Sequence, residues 1–104
     1  MTLYFVECDF GKLGRAFIET SRDSNSRTSI VSDIASSQIE NVVRVLEVIE
    51  DEGTCHDVTE DIAREVFGEV EAELNKPIPG YLRDFIDSNL GAGVCDEYDA
   101  EIAA

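Results

Sequence analysis

The run Val42-Val43-Arg44-Val45-Leu46-Glu47-Val48-Ile49 constrains this chain more than any other segment. Successive side chains of a strand alternate between two faces, and here both sets are mainly apolar and rich in β-branched residues. An edge strand washed by solvent shows one polar face, so this run is expected at the centre of a sheet. The rest of the chain has to supply neighbouring strands and a cover for the apolar surface.

Upstream, Tyr4, Val6, Cys8 and Phe10 alternate with Leu3, Phe5, Glu7 and Asp9, which reads as a second strand. Gly11-Lys12-Leu13-Gly14 then allows a tight reversal, and Arg15 to Thr20 resumes the alternation, giving a hairpin. The same four residues match the GXXG spacing of a KH-domain loop, but that loop joins helices and clamps a nucleic-acid backbone. Between two strands, with a single lysine, the segment reads as a turn. Downstream, Glu50 to Gly53 is a turn and Thr54-Cys55-His56 a short return strand.

Helical spacing accounts for most of the remainder. Ile30, Val31, Ile34, Ala35 and Ile39 recur at intervals of one, three and four, predicting an amphipathic helix from Ser26 to about Gln38. Ile62, Ala63, Val66, Phe67, Val70 and Leu74 line one side of a second helix, opened by a capping-box pair at Asp57 and Glu60 with Thr59 as a competing cap. Pro77 and Pro79 end it, and a third helix with Tyr81, Leu82, Phe85, Ile86 and Leu90 on one side stops at Gly91. From Ala92 to Ala104 acids and small residues dominate without clear periodicity, so a flexible acidic tail is expected there.

The expected architecture is α+β: a small, mostly antiparallel sheet in the order β-β-α-β-β-α-α, with helices packed on one face. Residues 1–91 form a single domain in this reading and 92–104 the tail. A chain of 104 residues suffices for one core and falls short of two.

The net charge of −15 is unevenly spread. Residues 1–46 hold six acids against five bases, while residues 47–104 hold seventeen acids against Arg64, Lys76 and Arg83. Binding to DNA or RNA rests on neutralising phosphates with Lys and Arg, so direct nucleic-acid contact through the second half is disfavoured. A basic protein partner remains, as does plain solubility. No apolar stretch approaches the roughly 20 residues that cross a bilayer, and the first residues lack the basic start of a signal peptide. Three cysteines without CxxC spacing argue against a disulfide framework or a zinc knuckle, and a cytoplasmic setting is expected.

Asp57, Asp61, Glu65, Glu69 and Glu73 recur at intervals of four. On a helix this spaces like charges about 6 Å apart along the axis, and each neighbouring pair costs roughly 0.2–0.5 kcal/mol. Two explanations stand: a solvated face opposite the apolar side, or a surface imitating a run of phosphates. With Glu50, Asp51 and Glu52 these residues make the candidate partner-binding surface.

Catalytic arrangements are weaker. Cys55-His56-Asp57 suggests a thiol and a base, but neighbours on a strand point to opposite faces and the surrounding acids oppose a thiolate. Neither Glu50 to Glu52 nor Asp96, Glu97, Asp99 and Glu101 has the alternating ligands and central glycine of a calcium loop. No catalytic residue, metal site or cofactor is predicted.

Asn25-Ser26-Arg27, Val45-Leu46-Glu47-Val48, Glu52-Gly53-Thr54 and Asp57-Val58-Thr59-Glu60-Asp61-Ile62-Ala63 together resemble a pattern in short uncharacterised proteins of alphaproteobacterial genomes, over about Tyr4 to Val66. In that pattern a tryptophan-serine-arginine or similar triplet can stand where Thr54-Cys55-His56 stands here, which weakens a catalytic reading of Cys55 and His56. The resemblance implies no activity. In size and acidity the chain is also similar to anti-CRISPR and antirestriction proteins, an analogy of type with no shared motif.

The leading expectation is a small acidic, non-enzymatic interaction protein that binds a basic protein partner through its second half. One alternative is a nucleic-acid mimic that occupies a DNA-binding protein. Another is a small enzyme or ligand-binding domain with a pocket between sheet and helices, using Tyr4, Cys55, His56 or Asp57. A homodimer formed through a strand edge or the third helix is a further expectation.

Overall fold

The computed structural model describes residues 2–18, 26–72 and 78–103. Leu74 and Pro77 of the expected second helix and its break lie outside the described residues, as does acidic Glu73. Strands β1 (Thr2–Asp9), β2 (Arg15–Ile18), β3 (Val42–Ile49) and β4 (Thr54–Asp57) form one antiparallel sheet in the order β2-β1-β3-β4. The run that is apolar on both faces is therefore β3, an interior strand between β1 and β4. A 3-10 turn at Gly11–Leu13 joins β1 to β2. The β3–β4 turn closes at Gly53, whose φ of +64° is one that glycine adopts without a Cβ penalty.

Four helices accompany the sheet: α1 (Arg27–Ala35), α2 (Thr59–Ala72), α3 (Gly80–Leu90) and α4 (Val94–Ala103). This is the expected α+β fold with one helix more than the sequence reading held. The Ser26 side chain accepts a hydrogen bond from the Ser29 amide and so caps α1. After α1, Ser37 and Asn41 take left-handed backbone angles that turn Ile39 into the core and deliver the chain to β3. Asparagine is among the few residues that tolerate this region.

One side of the sheet is sealed by α1, α2 and α3. Tyr4, Val6 and Cys8 of β1 and Val42 and Val45 of β3 meet Ile30, Ile34, Ile62, Val66, Leu82 and Ile86 in a single core. The largest of these side chains are less than 2% exposed, and burying one stabilises the fold by roughly 1.5–3 kcal/mol. Thr59 locks the start of α2 to β3: its hydroxyl accepts from the Val45 amide at 2.9 Å, so a backbone donor that lacks a strand partner there is satisfied.

The segment expected as a tail folds instead. Residues 94–103 form α4, with Cys95 fully buried and the Tyr98 ring edge-on to Phe67 of α2, centroids 5.4 Å apart. Three residues outside its own sequence hold it by hydrogen bonds or ion pairs. The Asp87 carboxylate accepts from the Cys95 amide at the helix start, the Arg83 guanidinium grips both Asp96 and Asp99, and Asp99 accepts from the Ile78 amide. A carboxylate at a helix N-terminus satisfies a free amide and favours the positive end of the helix dipole.

Candidate functional site

The acidic row is not one helical ridge. Asp57 is the last residue of β4, two positions before α2 begins. Its Oδ1 accepts from both the amide and the hydroxyl of Thr59, so it shapes the strand-to-helix turn. These two donors, and more weakly Arg44, hold its carboxyl below the ordinary carboxylate range. The expected capping-box partner Glu60 pairs forward with Arg64 at 2.9 Å instead.

The remaining members differ from one another. Asp61 lies 3.7 Å from the same Arg64. Glu65 is bound at 2.6 Å by Arg27 of α1, whose guanidinium also reaches Glu47 at 3.7 Å. Glu47 accepts from the Tyr4 hydroxyl at 2.8 Å, and burial together with that carboxylate pushes the Tyr4 phenol up, keeping it a donor. Glu65 therefore ends a chain Tyr4–Glu47–Arg27–Glu65 that ties α1 and α2 to the sheet. Glu69 is exposed and has no ion pair among the described residues. Glu69 lines a shallow groove between α2 and α1, beside Thr28 and Val31.

The residues considered for catalysis are divided by the sheet. Cross-strand register pairs Cys55 with Val48, His56 with Glu47 and Asp57 with Leu46. Tyr4, Glu47 and His56 thus share the side toward the helices, while Cys55 and Asp57 point to the other. The two buried thiols are raised: Cys8 by desolvation and then by Glu7, Cys95 to about 12 by desolvation and then by Asp87. At neutral pH both remain protonated and poorly nucleophilic. Among the described residues no three His, Cys, Asp or Glu side chains gather as a metal cage, and no helix is long and apolar enough to cross a membrane.

A surface that the sequence reading passed over lies on the far side of the sheet from the helices. Register defines its rows: Leu3, Val48 and Cys55; then Phe5, Leu46 and Asp57; then Phe17, Glu7 and Arg44; then Arg15 and Asp9. Phe5 is 41% and Phe17 44% exposed, while Leu3, Leu46 and Val48 are half-buried by their neighbours alone. Arg44 lies over the Phe17 ring at 5.9 Å and pairs with Glu7 at 3.6 Å, and Arg15 meets Asp9 at 4.0 Å. The signal available in the sequence was the second apolar face of Val42 to Ile49. On the third helix, by contrast, Leu82, Phe85 and Ile86 are buried in the core, and of its expected apolar side only Tyr81 is exposed.

No protein-family model, curated protein or solved structure matches this chain.

Proposed function

We propose that this protein is a small non-enzymatic interaction protein of the cytoplasm that binds a basic protein partner through its acidic second half. The observation that carries this reading is a set of exposed acids that have no ion pair among the described residues. Of the three bases in residues 47–104, Arg64 is engaged by Glu60 and Asp61, and Arg83 by Asp96 and Asp99. Exposed Glu50, Glu52, Glu69 and Glu71 have no ion pair among the described residues, so a basic surface that meets them gains attraction without breaking an existing pair. Such contacts chiefly accelerate encounter and make binding sensitive to salt.

Glu65 takes a different part in this reading. Its bond to Arg27 interrupts the row, which favours a basic protein surface over imitation of an evenly charged nucleic-acid backbone. Affinity capture from host lysate at low and high salt, followed by mass spectrometry, tests the proposal. A basic protein captured by the wild type at low salt and lost on Glu69→Lys is expected. Capture indifferent to both salt and Glu69→Lys contradicts it. If the captured protein also binds DNA, competition by duplex DNA reports whether the acidic surface occupies the same groove.

A further inference from the structure

We propose that the open face of the sheet is the contact surface for a second copy of this chain, so that two sheets stack face to face and the acidic helices point outward. The proposal goes beyond the acidic surface and does not depend on it. Leu3, Phe5, Phe17, Leu46, Val48 and Cys55 form an apolar field on a sheet whose central strands β1 and β3 are already sealed by helices on the opposite side. An exposed apolar field on a rigid sheet marks a contact surface.

Charge points to a second copy as the occupant. The face carries Glu7, Asp9 and Asp57 against Arg15 and Arg44, close to neutral on a chain whose net charge is −15. It holds both signs at one end, as Arg15 beside Asp9 and Arg44 beside Glu7. A twofold interface places a patch against itself, so a patch bearing both signs lets each arginine meet an acid of the other copy. A partner as acidic as the rest of this chain meets least repulsion here. Stacked sheets lie about 10 Å apart and each helix layer adds about as much, which separates the two acidic layers by roughly 30 Å, several Debye lengths at physiological salt.

The face is small, which sets the strength of the contact. Two strands of eight residues and two of four, about 4.8 Å apart and about 3.4 Å per residue, present roughly 400 Å². Two copies then bury about 800 Å², the range of a weak, transient association. Aligned packing of such sheets sets the strands at about 30° to each other.

The test is light scattering of the full chain across about 5 to 500 µM, since self-association follows mass action. The wild type is expected to reach twice the mass of the chain, and Phe5→Lys, at an already exposed position, to stay monomeric with an unchanged circular-dichroism spectrum. A wild type that is monomeric at every concentration overturns the proposal and leaves the face to a different protein. A Phe5→Lys variant that still dimerises overturns it as well and moves the contact to a strand edge. Should Phe5→Lys fail to fold, Cys55 decides in the wild type, because it is the exposed thiol of this face while Cys8 and Cys95 are buried. Alkylation of Cys55 that slows severalfold as protein concentration rises supports the contact. A rate independent of concentration overturns it.

Discussion

The two faces of β3 are built from similar residues and treated differently. Toward the helices, Val45 is fully buried and Val42 nearly so, and Glu47 is tolerated there because Tyr4 and Arg27 bind it. On the opposite side, Leu46 and Val48 are screened only by Phe5, Leu3 and neighbouring strands. Apolar composition alone therefore does not identify the core of this protein. What separates the faces is cover, and the helices cover one.

Substitutions at the two faces should separate accordingly. The largest loss is expected for Ile62→Ala, which removes a fully buried side chain beneath the sheet and should cost about 2–5 kcal/mol in urea unfolding. An equal loss at Phe5→Ala would erase the distinction, since Phe5 is 41% exposed. Thr59→Val comes next. It preserves shape but leaves the Val45 amide without an acceptor and Asp57 without a hydroxyl donor, for roughly 1–3 kcal/mol.

Acid should weaken the joints at the start of α2 and along α4. Asp57 is held low by Thr59, and Asp99 by the Arg83 guanidinium and the Ile78 amide. Their folded pKa values lie below the unfolded ones, so this stabilisation is present in full above about pH 4. It is lost as pH falls through the folded values. Circular dichroism between pH 5 and pH 2 is expected to show declining stability, with Asp57→Asn flattening the decline. The smallest effect on folding belongs to Glu69→Lys, which should change stability by less than about 0.5 kcal/mol while weakening capture of a basic partner.

How much of this was legible before folding varied with the range of the interactions. The β3 run and the apolar side of α2 carry their own periodicity, so both were readable locally. The helix α4 was not, because Val94, Cys95 and Tyr98 are sparse among Asp96, Glu97, Asp99 and Glu101. Phe67, Arg83 and Asp87 hold it from other elements. The acidic row shows the same limit. Its spacing was plain, but Arg27, 38 residues before Glu65, decides which acid is neutralised. That β3 is apolar on both faces was visible too, whereas only the fold could tell which face the chain covers itself.

Val45 and Leu46 are adjacent in β3 and point to opposite sides, so one pair of variants tests the account most directly. Thermal melts of the wild type, Val45→Ala and Leu46→Ala at about 5 and about 500 µM separate folding from association, because a dimer makes the midpoint depend on concentration. The account predicts that the wild type melts higher at high concentration. Val45→Ala should lower the midpoint at both concentrations, by the equivalent of about 2 kcal/mol or more. Leu46→Ala should remove most of the concentration dependence and change little at 5 µM. A wild-type midpoint independent of concentration, or a Leu46→Ala loss equal to that of Val45→Ala at both concentrations, would contradict it.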